Sequence, residues 1–366
     1  MKKKYLIAII ILLVGSGLTL ATYFATHIYQ RDSVALITDH QIKDTFVQRD
    51  KDVYGNVDQT RRQILHLTIL SCPQRGKKYV TSNVYYPSQL VSQKYRPRQR
   101  IFVDIKKNQP AIVNPKRDWV LVLMLTLTLA LMVSVTGKKA IPLICSLVLS
   151  WVIFYGVILA DVKLNGTSMF LLFASANIIF SFVSLAIVQG VNQKMLVTWV
   201  ATLLGVFISF GICYAMMKLT GETEMRYETG DYATQDPRGI FMAQALLGIL
   251  GAVMDEATDI VSSLHELVKT TPDITPLTLI KSGRAMGQEI MGPLINVLVL
   301  IFISGALPET ILYLRDNNTL SAAFGFTLSL GATQSVIAAI GIVLTVIFAT
   351  GCSLWFLRAR KRGDLV

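Results

Sequence analysis

Eight blocks of apolar residues, each about 20 residues long and so able to cross roughly 30 Å of hydrocarbon as a helix, dominate this chain. They run at about 5–26, 118–136, 140–160, 167–190, 195–217, 240–263, 286–307 and 330–356. One water-soluble core does not bury surface distributed in this way. The charge content agrees: 16% of the 366 residues are charged and 52% are hydrophobic, against roughly 25% charged in soluble domains. The expected class is mainly α, a polytopic membrane helix bundle of about eight spans with a small extracytoplasmic β domain. The mixed stretch 319–329 reads either as interfacial or as an extension of the last helix. The short loops at 137–139 and 191–194 favour full crossings over re-entrant segments.

Short-loop Lys and Arg set the expected orientation in the cell membrane. Lys2, Lys3, Lys4, Lys138, Lys139, Lys194, Lys269, Lys281, Arg284, Arg358, Arg360, Lys361 and Arg362 fall on one side. The other side's short loops hold Lys163, Arg226, Arg238 and Arg315. Eight alternating spans then place both termini in the cytoplasm and residues 27–117 outside. Residues 1–26 read as an N-terminal anchor helix, with a cleaved signal peptide as the alternative.

Residues 27–117 carry nearly all of the chain's formal net charge of +12. SVALITDH, RQILHLTILSC, KKYVTSNVYYP and QRIFVDI alternate and are rich in β-branched and aromatic residues, with turns at Gly55-Asn56, Pro73 and Pro97. They predict an OB-like barrel or a sandwich. Its basic face suits anionic lipid or wall polymer, or simply solubilises the surface; nucleic acid is not an expected partner outside the cell. Cys72 is the sole cysteine of this segment, so no internal disulfide is available to it.

The polar residues of residues 118–366 carry the functional reading, because carboxylates at bilayer depth persist mainly in bundle interiors or water-filled cavities. Asp255, Asp259 and Ser263 recur at spacing four and share a face. Thr258 and Ser262 extend that face, and Glu256 lies beside it. Near the helix end, Glu256 and Asp259 could instead reach water. Gly248 and Gly251 form a notch better explained by packing than by a ligand. In the next span Arg284, Gln288, Gly292 and Asn296 form a second stripe, with Glu289 beside it. Gly292-Pro293 is expected to break that helix and free carbonyls, while Asn296 serves equally well as interhelical glue. A short linker makes the two spans antiparallel neighbours. Asp255 is then expected to face Gln288, Gly292 or Asn296 and to be the principal titrating residue. Asp259 and Glu289 would form a shallower layer within reach of Arg284. Such a cluster suits a proton relay or a divalent cation such as Mn²⁺ or Mg²⁺, although the sequence requires no cofactor.

Walker, HExxH and GxSxG motifs are absent, and no enzymatic activity is expected. The acidic loop with Glu222, Glu224, Glu228, Asp231 and Asp236 lacks calcium-loop spacing. QDPRGIFMAQALLGILGAVMDEATDIVSSLHEL followed by GRAMGQEIMGPLINVLVLIFISGALP resembles the YibE/F-like family of bacterial multispan membrane proteins. A weaker likeness links the two helices to the SecD/SecF and RND membrane bundles. The first resemblance implies an integral membrane protein; the second implies proton coupling through intramembrane acids. The functional expectation is a proton- or cation-coupled transporter or efflux component. The alternatives are a membrane scaffold or assembly factor, acting as a homo-oligomer or with a paralogous membrane partner, and an enzyme of lipid-linked or wall substrates.

Overall fold

The computed structural model describes residues 2–361 except 27–28, 30–32, 72–73, 90–91, 107–108, 164–168, 222–224, 228–236 and 272. Cys72, Pro73 and the acidic loop residues Glu222, Glu224, Glu228, Asp231 and Asp236 therefore lie outside the described residues. The chain divides into two compact units, residues 1–140 and 141–366.

The first unit holds α1 (Lys2–Phe24), six strands and α2 (Asp118–Thr136). The strands are β1 (Ser33–Ile37), β2 (Lys43–Lys51), β3 (Val57–Ile69), β4 (Lys78–Tyr85), β5 (Arg100–Lys106) and β6 (Gln109–Pro115). They form one antiparallel sheet in the order β2-β3-β1-β5-β6, with β4 also on β3. The long β3 carries β2 along 57–64 and β1 along 67–69, while β4 pairs with 61–68. Strict alternation buries Leu65, Leu67 and Ile69 against Ala35, Ile37, Ile101 and Val103. The barrel or sandwich expected from sequence is thus a single open sheet. Between β4 and β6, Thr81 Oγ1 donates to the Pro110 carbonyl at 3.2 Å. β2 and β6 were not among the expected strands: β2 is largely charged and exposed, and β6 begins with Gln109-Pro110, as suits a sheet edge.

Polar side chains fix the sheet's loops. Buried Gln63 donates to the Tyr95 carbonyl at 3.0 Å and accepts from Tyr95 N at 2.9 Å. Asp44 meets Arg61 at 3.1 Å and Lys94 at 2.8 Å, and accepts from Tyr85 Oη at 2.8 Å. At the junction with the helices, fully buried Lys116 pairs with Asp118 at 2.9 Å and donates to the Thr22 carbonyl. A cation at the C-terminal end of α1 and a carboxylate in the first turn of α2 both match the helix dipoles. Arg100 stacks over the Tyr23 ring at 4.4 Å. α1 lies along α2, and Gly15 leaves room for the Thr126 side chain.

The second unit is a bundle of α3 (Ala140–Lys163), α4 (Met169–Gln189), α5 (Gln193–Thr220), α6 (Pro237–Thr270), α7 (Pro276–Arg315), α8 (Leu320–Ala323) and α9 (Ser329–Lys361). A π-helical turn, Phe324–Leu328, joins α8 to α9, so the stretch 319–329 extends the last helix. Among the described residues, eight helices are long and apolar enough to cross a membrane. α6 and α7 are longer than their apolar blocks, at 34 and 40 residues. Helical hydrogen bonding continues past the apolar blocks, and Asn192 and Thr275 cap the starts of α5 and α7. α9 packs against α5, α6 and α7.

Candidate functional site in the α5–α6–α9 seam

One face of α6 is buried at Met242, Leu246, Ile249, Val253, Glu256, Ile260 and Leu264. Six of these are aliphatic or thioether side chains, and the seventh is a carboxylate. Glu256 is 1% exposed, and neither carboxyl oxygen has a hydrogen-bond partner. At 1.5 Å per residue it lies about 24 Å from the start of the apolar block at 240 and about 10 Å from its end at 263.

The surroundings of Glu256 follow from the neighbouring turn. A Cβ on Gly205 of α5 would meet Val253 Cγ1 at 2.9 Å, and it would also collide with Thr345 Oγ1 of α9. A Cβ on Gly341 of α9 would meet Val253 Cγ2 at 2.9 Å and Ser209 Oγ at 3.1 Å. Val253 therefore marks the point where three helices approach most closely, and glycine permits the approach. Glu256 is one turn further along α6. Descending one turn along antiparallel α5 leads from Gly205 to Thr202, and along parallel α9 from Gly341 to Thr345. Thr202 and Thr345 are both fully buried. Thr345 Oγ1 lies at the Gly205 crossing itself, and Glu256 follows Val253 by one turn with no hydrogen-bond partner.

The acids and the α7 stripe expected from sequence lie elsewhere. Asp255 and Asp259 are on the exposed face of α6, and Ser262 is half-buried. Thr258 accepts from Gln189 of α4 at 3.3 Å. Gly251 borders an apolar cavity of about 440 Å³ together with Trp151, Phe154 and Phe180. Arg284, Gln288, Glu289, Gly292, Pro293 and Asn296 are exposed, and Arg284 and Gln288 border a groove shared with Val343 and Ile347 of α9. The expected facing of Asp255 with Gln288, Gly292 or Asn296 is therefore not formed. α7 instead presents Gly283 to Thr350 and Gly287 to Val346, because two glycines four residues apart let α9 pack closest there. Nor does Gly292-Pro293 break α7: the helix continues through Pro293, whose missing N–H leaves only the Glu289 carbonyl without its helical donor. Among the described residues no group of three His, Cys, Asp or Glu side chains could hold a metal.

Residues 124–359 match the model of the YibE/F-like protein family, and residues 27–115 match the YibE/F family N-terminal domain. The chain belongs to the YibE/F-like family. No curated protein and no solved structure matches it. It is a multi-span membrane protein, as the family and the eight apolar helices agree.

In this YibE/F-like chain the buried hydroxyls beside the crossing are turned to their own helices: Thr202 Oγ1 donates to the Thr198 carbonyl at 2.8 Å and Thr345 Oγ1 to the Gly341 carbonyl at 2.6 Å. Neither is a hydrogen-bond partner of Glu256. Among the described residues no Lys, Arg or His is in salt-bridge range of it. An unaccompanied carboxylate there would cost several kcal/mol or more. A sequence signal for this burial existed. Glu256 falls in the Ile/Val/Leu register of α6, whereas Asp255 falls in the register of Gly248, Gly251 and Asp259.

Proposed function

We propose that this protein is a proton- or cation-coupled membrane transporter, not an enzyme, and that Glu256 is the carboxyl that loads and releases the coupling ion. The observation supporting this reading is a fully buried carboxyl within a span with no partner on either oxygen. Structural glue would be expected to be satisfied by the surrounding structure. An ion-carrying group has to be left short of partners in one state. The proposed setting is the cell membrane, with both termini cytoplasmic and residues 27–117 outside. The basic outer domain would meet anionic headgroups or wall polymer there.

The test is complementation of a deletion strain, scored on whatever difference in metal or metabolite content the deletion produces. Glu256→Gln keeps the shape and cannot ionise; it is expected to insert normally and give no rescue. Glu256→Asp keeps the charge and should restore part of the activity. Full rescue by Gln would reject the coupling role and favour a membrane scaffold. Asp255→Asn, on the exposed face, is expected to rescue more than Glu256→Gln does.

A further inference from the structure

A second polar feature of the bundle lies at the other end of the same helices. A cavity of about 840 Å³ is bordered by the last turns of α5, by Met225 and Arg226, and by the α8–α9 segment with its π-helical turn. This volume suits a drug-sized solute. Arg226 is the charged side chain among its described lining residues. Its guanidinium lies 4.6 Å from the centre of the Phe326 ring, and Phe326 stacks in turn on Tyr313 at 5.7 Å. With one face of the guanidinium against a ring, its N–H edge remains available to fork an oxyanion. Among the described residues no carboxylate is in salt-bridge range of Arg226.

The rest of the wall is apolar and adaptable. Met216, Met217 and Met225 contribute thioethers, which fit irregular apolar bodies. The π-helical turn loosens the local carbonyl ladder. Thr327 Oγ1 and Ser329 Oγ take up two of those carbonyls, on Ala323 at 2.8 Å and Gly325 at 2.7 Å. Turns of this kind recur at functional sites.

We infer that this cavity binds an amphiphilic organic anion, a carboxylate or phosphate ester head on an apolar body, with Arg226 holding the head. This inference rests on the transport reading, because it names the class of solute that coupling through Glu256 would drive. The charges are consistent for a carboxylate, since one monoanion accompanied by one cation crosses without net charge; a phosphate monoester, at about −2, would need two. The two sites are separate along the shared helices. Cys213 at the cavity is about 16 Å from Thr202 on α5, and Val336 is about 13 Å from Thr345 on α9, at 1.5 Å per residue. Val206, Phe210, Ile249, Val253 and Ile337 fill the space between with apolar side chains. A change at one site therefore leaves the other's contacts in place.

The test is equilibrium binding of radiolabelled dodecanoate and dodecyl phosphate to the full-length protein in nanodiscs. Saturable binding of at least one is expected, with dodecyltrimethylammonium and inorganic phosphate failing to compete. Whichever of the two binds more tightly identifies the head group. Arg226→Gln should weaken binding about tenfold or more, the worth of a charge-assisted hydrogen bond. Phe326→Leu, which keeps the guanidinium but removes its ring, should weaken it about threefold. Asp255→Asn, on the exposed face of α6, should leave it within about twofold. Equal affinity in the wild type and Arg226→Gln, or equal competition by the cationic amphiphile, overturns the inference. An Arg226-dependent site in a protein indifferent to Glu256→Gln in cells would retain the cavity and discard the coupling. Glu256-dependent rescue with no Arg226-dependent binding would do the reverse.

Discussion

Two carboxylates of this chain, Glu256 and Asp44, show how surroundings decide what an acid does. Glu256 lies on an apolar face of α6 with no partner on either oxygen, so its retention disfavours stability. Glu256→Met, of similar length and fully apolar, is expected to raise the melting temperature of the purified protein, by an amount equivalent to about 1–3 kcal/mol, while abolishing activity. Thermal unfolding followed by fluorescence would check both the sign and the size. Asp44 in the sheet has the opposite setting. Burial alone would push its carboxyl up, but hydrogen bonds from Lys94, Tyr85 and Arg61 together hold it below the usual aspartate value. The sign follows directly. With the folded value below the unfolded value of about 3.9, the stabilisation is complete above the unfolded value. It is lost as pH falls through the folded one. Asp44→Asn should therefore destabilise the sheet at pH 7 and change it little at strongly acid pH. Hydrogen exchange of β3 and β4 amides at the two pH values measures this. The sequence reading put Asp255 inward as the principal residue and let Glu256 and Asp259 reach water at the helix end; the structure buries Glu256 and exposes Asp255. The signal lay in the register of α6, where Glu256 shares the apolar face with Val253 and Ile260, and Asp255 lies with Gly251 and Asp259.

At the level of elements, glycines decide where helices meet. Gly205 and Gly341 are in the tightest part of the seam, where an added Cβ would fall within 3 Å of Val253. Gly211, on the same α5, has nothing within 4 Å of that position. Gly205→Val and Gly341→Val are expected to cost about 1–3 kcal/mol through overpacking and to lower the yield of folded protein. Gly211→Ala should be neutral or stabilise by up to about 1 kcal/mol through helix propensity. Size-exclusion profiles and melting temperatures of the three variants would separate these outcomes. The lengths of α6 and α7 were only half legible. The apolar blocks mark the part that can lie in hydrocarbon, while the helices extend through polar turns such as Lys269 and Lys281, and the connection shrinks to residues 271–275. Charged β2 was missed for a related reason: its pairing with β3, not its own composition, makes it a strand.

For the whole molecule, the division into a helical bundle and a small sheet was legible because apolar run length and strand alternation are both one-dimensional signals. Sheet closure depends on contacts distant in sequence, and there the expectation of a barrel or sandwich gave way to an open sheet. Orientation is testable in intact cells with native cysteines removed. Ser82→Cys on β4 should react with an impermeant maleimide added outside, and Asp273→Cys between α6 and α7 should not. Labelling of position 273 would invert the proposed topology. The glycine crossing also has a mechanical consequence. α9 runs for 33 residues, and Gly341, thirteenth in it, is held between α5 and α6. On the proposed transport reading, a stiff rod held near its middle would rock about that point, so that parting its first turns from α5 would bring its later turns inward. Spin labels at Leu219 and Ala332, and at Leu196 and Phe348, should then change their separations in opposite directions whenever the loaded and unloaded states interconvert.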